Sequence, residues 1–140
     1  MMKSILGSAL LGITLLFVVS SCATVTTESV APAPGEVRLL GIDFTEVRVI
    51  RANFLYPVII KFEADSRPEI TRACFYWSGD GPYCFKVAEV NYGWGTIKID
   101  LPIPSSISSR SYTLESFVIY NKDGRSQRTN KVGTRIYVTN

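Results

Sequence analysis

The chain has 140 residues, three cysteines and a net charge of +3, and it contains no histidine. One domain is the expectation at this length, and the missing histidine removes the commonest general base and metal ligand. Basic and acidic residues are interspersed rather than blocked, so nothing in the pattern marks a nucleic-acid-binding protein.

Met1-Met2-Lys3-Ser4 forms a short positive start, and residues 5–19 are apolar except for Gly7, Ser8, Gly12 and Thr14. That run is shorter than the ~18 to 20 residues a spanning helix needs. A positive start, a short apolar run and small residues behind it describe a secretory signal peptide rather than a permanent transmembrane anchor. The run ends in Val19-Ser20-Ser21-Cys22, which resembles the lipobox of bacterial lipoproteins, with Val in place of the usual Leu. The resemblance implies removal of residues 1–21, diacylglycerol on the Cys22 sulfur and often a further acyl chain on the new amino terminus. One acyl chain holds a protein only marginally, whereas two or three anchor it stably at ~0.8 kcal/mol per buried methylene. The competing reading is a soluble secreted protein with an incidental Cys22. In Gram-negative lipoproteins an Asp after the cysteine signals inner-membrane retention; Ala23 stands here. The implied address is therefore the cell envelope, with the outer membrane favoured if the source is Gram-negative.

Residues 22–35 read as a tether. Thr, Ala, Pro and Ser dominate after Cys22 and no hydrophobic period is visible, so the segment buries too little to order itself. Pro32 and Pro34 favour extended polyproline II, which gives a reach of roughly 40 Å from the bilayer.

From Glu36 to Asn140 the pattern is strand, turn, strand. Expected strands are 37–44, 56–64, 71–77, 83–90, 96–101, 112–120 and 131–139. Val58, Ile60, Phe62 and Ala64 share one face, as do Ile97, Ile99 and Leu101, and Tyr112, Leu114, Ser116, Val118 and Tyr120. Period-two alternation buries one face of each strand. Ser78-Gly79-Asp80-Gly81-Pro82 and Asn121-Lys122-Asp123-Gly124 supply turns, and Pro102-Ile103-Pro104-Ser105-Ser106 opens a crossing loop. The expected fold is all-β, an antiparallel β-sandwich of about seven strands, with a small barrel as the alternative closure. The order of strand lengths resembles immunoglobulin-like and fibronectin type III-like domains. That resemblance makes Tyr112 a corner tyrosine, its hydroxyl bonding a backbone group within residues 104–109. The Cys-Trp-Cys spacing of antibody domains is absent.

Cys74 and Cys84 lie in CFYWSGDGPYC. In an oxidising compartment they are expected to pair. Setting Cys74 opposite Cys84 places Phe75 against Tyr83, Ala73 against Phe85 and Tyr76 against Pro82, with the turn on Ser78-Gly79-Asp80. Ala73, Phe75, Trp77, Tyr83, Phe85 and Val87 then share the core face, and the disulfide lies outside with Arg72, Tyr76 and Lys86. The spacing is neither a C-x-x-C redox motif nor a zinc site.

No nucleophile elbow, P-loop, zinc helix or EF-hand loop is present, and Asp80 and Asp123 read as turn residues. Glu63, Asp65, Glu69, Glu89 and Asp100 read as scattered surface acids. The expectation is therefore no enzyme, no cofactor and no metal. The candidate binding residues are aromatic: Tyr76, and Tyr92 and Trp94 in the loop Tyr92-Gly93-Trp94-Gly95. Extending the Ile97–Ile99 register backward points Tyr92 and Trp94 outward with Lys98; if the glycines break that register, Trp94 caps one end of the core. Exposed Tyr and Trp offer large rigid surface with a polar handle. The leading expectation is a membrane-anchored interaction module with an envelope protein partner. The alternative is a carbohydrate-binding domain that recognises a surface glycan.

Overall fold

The computed structural model describes residues 32–44 and 49–139. The expected leader, Cys22 and the tether as far as residue 31 lie outside the described residues. Among the described residues ten strands form: β1 (Val37–Phe44), β2 (Val49–Arg51), β3 (Leu55–Ala64), β4 (Glu69–Trp77), β5 (Asp80–Lys86), β6 (Glu89–Asn91), β7 (Thr96–Pro102), β8 (Arg110–Lys122), β9 (Arg125–Arg128) and β10 (Val132–Thr139). They make a four-stranded sheet, β1-β3-β7-β6, and a six-stranded sheet, β2-β10-β8-β4-β5 with β9 on β8. This is an all-β sandwich, as the alternation predicts. Read as A, B, E, D and as G, F, C, the two strand orders follow the immunoglobulin arrangement.

One core fills the space between the sheets. Val58, Ile60 and Phe62 of β3, Ile97, Ile99 and Leu101 of β7, and Tyr112, Leu114, Ser116, Val118 and Tyr120 of β8 are all buried. Every one of these belongs to an alternating set in the sequence. Ile103 and Ile107 are buried as well. Both lie in the loop from β7 to β8, which closes one end of the sandwich. The Tyr112 hydroxyl donates to the Ser108 carbonyl at 3.1 Å, the corner bond that the immunoglobulin resemblance implies.

Three departures from the expected strands have local causes. The segment 83–90 is two strands, not one: β5 pairs with β4 in the six-stranded sheet, and β6 pairs with β7 in the other. The chain changes sheets at Val87 and Ala88, which a continuous reading of alternation passes over. The expected last strand, 131–139, forms unbroken as β10, but a short strand that was not expected, β9, precedes it. β9 and β10 both pair with β8, and between them Asn130 turns aside to bond both the amide and the carbonyl of Leu39, at 2.8 and 3.0 Å. That side chain therefore links β1 to the opposite sheet, beside the β1 bulge between Leu39 and Gly41.

The third departure is in the cysteine hairpin. Cys74 faces Cys84, Phe75 faces Tyr83 and Ala73 faces Phe85, as the sequence predicts. Beyond Phe75 the register slips and Trp77 faces Asp80, so Gly81 and Pro82 together oppose Tyr76. Pro82 has no N–H for the ladder, and a bulge absorbs it. The connection is then the two residues Ser78-Gly79, both at positive φ (47° and 90°), the primed turn that matches strand twist. Tyr83 is 41% exposed rather than in the core. It stands on an edge strand, and its hydroxyl donates to Asp80 at 2.8 Å.

Candidate functional site

The structure separates the three aromatic residues that the sequence singles out. Tyr92 does not point outward. Its ring packs edge-on against Phe62 at 5.9 Å, and its hydroxyl donates to the Pro68 carbonyl. The glycines of the loop break the outward register, as one of the two readings allowed, but it is Tyr92 and not Trp94 that turns to the core. Burial pushes the Tyr92 hydroxyl above the ordinary tyrosine range; the Ile70 backbone and Arg67 oppose this, and Glu69 adds to it. Trp94 stands at the tip of the β6–β7 hairpin and is 85% exposed. Its amide donates to Asn91 Oδ1 at 3.0 Å. Gly95 follows at φ +64°, where a Cβ would come within 2.5 Å of the Phe62 carbonyl oxygen, so only glycine lets the hairpin close onto β3.

Tyr76 lies elsewhere, near the far end of β4. Tyr92 is fastened at Pro68, just before β4 begins. Eight residues along a strand separate Pro68 from Tyr76, a rise of roughly 26 Å. No single platform therefore contains Tyr76, Tyr92 and Trp94.

Tyr76 belongs to a different constellation, on the outer face of the six-stranded sheet. Its ring meets Phe117 at 6.0 Å. The Lys131 ammonium sits 4.5 Å from the centre of Tyr76, and the Arg128 guanidinium 4.9 Å from that of Phe117. Cys74 pairs with Phe117 on one side and with Cys84 on the other. The disulfide, with a Cα–Cα separation of 4.0 Å, thus borders the same cluster. Phe117 is buried on the solvent side of its sheet, because Tyr76 and Arg128 cover it.

The register collects charge around this cluster. Arg72 faces Lys86 and Ile119, Ile119 faces Arg128, and Arg135 and Arg51 hold outward positions on β10 and β2. With Lys131, six cations lie on this face among the described residues, all exposed. Among the described residues, Glu69 and Glu115 are the acids on that face. The outer face of the four-stranded sheet is balanced: Arg38, Lys61 and Lys98 stand against Asp43, Glu63, Glu89 and Asp100. Arg38 meets Glu63 at 2.6 Å and Lys61 meets Asp43 at 3.9 Å. A shallow depression of about 430 Å³ lies on the cationic face between Thr71, Arg72, Ile119, Ser126, Gln127 and Arg128.

No run of basic residues announces this face, because its members come from β2, β4, β5, β9 and β10 and the segment after β9. The usable signal is parity. Arg72 and Lys86 fall on the non-core parity of the cysteine hairpin, and Arg135 on that of the last strand. Among the described residues no group of three or more Cys, Asp or Glu side chains is placed to hold a metal ion.

No family model matches the chain, and no curated protein matches it. Among solved structures it is similar to a superoxide reductase (neelaredoxin) from Ignicoccus hospitalis, at 14% identity and a TM-score of 0.39, over 72% of this chain and 82% of that one. It is also similar to a cohesin module from a family 33 glycoside hydrolase of Clostridium perfringens, at 13% identity and a TM-score of 0.35, over 73% of this chain and 98% of that one. Likeness at this level carries no function.

Proposed function

We propose that this chain is a lipid-anchored, non-enzymatic interaction module of the bacterial cell envelope. In this reading Cys22 carries the lipid, and the outer face of the six-stranded sheet docks an acidic protein partner. The observation that carries the docking face is its charge: among the described residues, six cations against two acids on the face that holds the Tyr76–Phe117 pair, on a sandwich whose other face is balanced. A one-signed face raises the encounter rate with a partner of opposite sign and selects against wrong partners. Tyr76 and Phe117 supply rigid apolar area at its centre, where binding energy concentrates. The separation of Tyr76 from Trp94 favours this face over a sugar-stacking platform built from both. The immunoglobulin-like strand order suits the role, since it presents whole sheet faces to solvent.

Two measurements test the reading. Arg72→Glu combined with Arg135→Glu is expected to abolish capture of the partner from cross-linked cells, whereas Lys61→Glu combined with Lys98→Glu on the opposite face leaves it intact. Equal loss from both pairs, or from neither, overturns the cationic face. For the anchor, intact mass and membrane fractionation of the native protein are compared with Cys22→Ser. A mature chain starting at Cys22 with acyl chains, and a variant lost from membranes, are expected. An unlipidated soluble native chain removes the anchor and the envelope address with it.

A further inference from the structure

The tether enters the fold at the same end of the sandwich as the exposed tryptophan. Ala33-Pro34-Gly35-Glu36 makes a tight turn, with the Glu36 amide donating to the Ala33 carbonyl at 2.9 Å and Gly35 at φ +74°. The turn is fastened to the domain: the Gly35 amide donates to Asp65 at 2.8 Å, and Glu36 meets Lys122 at 3.6 Å. Asp65 lies in the β3–β4 loop, and the other end of that loop, Pro68, receives the Tyr92 hydroxyl. Val37 pairs with Ala64, and the Phe62 amide donates to Gly95 at 2.8 Å. The start of β1, the end of β3 and the start of β7 therefore lie together. β1 and β7 flank β3 on either side, which sets them roughly 10 Å apart across the sheet. Trp94 and the tether's point of entry project from one edge of the molecule.

We infer that Trp94 seats this edge of the domain in the interfacial layer of the bilayer to which Cys22 is anchored. The inference rests on the lipid-anchor reading above. Nine residues lie between Cys22 and Pro32, so an anchor at Cys22 keeps the entry edge within roughly 30 Å of the membrane, at high effective concentration. Indole belongs in the interfacial layer, where its ring is shielded from water and its N–H stays hydrated. Trp94 has the matching form: it is the most exposed large apolar side chain described, on a glycine-flanked hairpin tip. The exposed Ala33 and Pro34 beside the entry add uncharged surface. Charge does not carry the contact. Arg67, Lys122 and Arg125 at this edge are offset by Glu36, Asp65, Glu69 and Asp123, so attraction to anionic lipid is not what holds it. Seated in this way, the domain has a fixed orientation, with the cationic sheet face standing out of the membrane plane and open to a partner.

The full chain in phosphatidylcholine vesicles tests this through its two tryptophans. Trp77 is 4% exposed and Trp94 85%, so comparison with Trp94→Phe isolates the surface residue without disturbing the core. The expected result is a blue-shifted Trp94 emission, quenched by lipid brominated near the head of the acyl chain and protected from aqueous iodide; Trp94→Phe shows neither quenching. Intact mass of the same sample separates the two levels of the argument. An acylated, vesicle-bound protein whose Trp94 is quenched by iodide and not by lipid overturns the inference and leaves the anchor standing. Protection from iodide without lipid quenching means that a second copy or another protein covers Trp94, and also overturns it. A chain that is unacylated and stays off the vesicles sinks both the anchor reading and the inference.

Discussion

Gly95 shows how much one residue decides. Its positive φ, and the 2.5 Å at which an added Cβ would meet the Phe62 carbonyl oxygen, forbid a side chain, while Gly93 two positions earlier has room for one. Gly95→Ala is expected to lower stability by more than ~1 kcal/mol, and Gly93→Ala to stay within about 0.5 kcal/mol of the parent, both read from urea midpoints. The corner bond is a second single-residue determinant. Tyr112→Phe removes the donor to Ser108 and is expected to cost about 1 kcal/mol, measured the same way. Tyr92 has a pH signature. Burial raises its hydroxyl above the ordinary value, so the folded state holds that proton more tightly than the unfolded chain does. Its contribution is complete below the unfolded value of about 10 and is lost as pH rises through the higher folded value. Melting temperatures compared between about pH 9 and 11 should fall more steeply for the parent than for Tyr92→Phe. The ambiguity in the Tyr92–Gly95 loop was visible in the sequence. Its resolution was not, because it depends on Phe62 and Pro68 being adjacent in space.

At the scale of elements, the cysteine hairpin is the most legible part of the chain. Once Cys74 is set opposite Cys84, as an oxidising compartment leads one to expect, the two neighbouring pairs and the face of each side chain follow from alternation, because period two leaves few registers when one contact is fixed. The bulge at Gly81-Pro82 and the shortened turn were not legible, since a proline without a donor shifts the ladder only where a neighbouring strand needs that donor. The disulfide closes a ten-residue separation, which in the chain-entropy model is worth about 3 kcal/mol. Cys74→Ala combined with Cys84→Ala is expected to lose close to that amount in chemical denaturation, with the strand content unchanged by circular dichroism. β5 is an edge strand, and the disulfide and bulge also blunt that edge against pairing with other chains. The division of 83–90 between two sheets followed a different logic. A strand that changes sheets keeps its alternation on both sides of the crossing, so the pattern gives no warning.

For the whole molecule, a net charge of +3 describes neither face. Among the described residues one sheet surface carries six cations against two acids and the other is balanced, so association through the first should weaken as salt rises and the Debye length shortens from ~10 Å at 0.1 M. The expected readout is a falling association rate with added salt for the parent, and a flatter dependence for Arg72→Glu combined with Arg135→Glu. The sequence by itself determined the all-β class, most of the buried residues and the cysteine register, because alternation and turn chemistry are local and each strand states its own buried face. Tertiary structure alone decided which outward residues share a surface. Cations from five strands meet on one face, Tyr76 parts from Tyr92 and Trp94, and Trp94 comes to stand beside the tether, because sheet neighbours are set by strand order and not by distance along the chain.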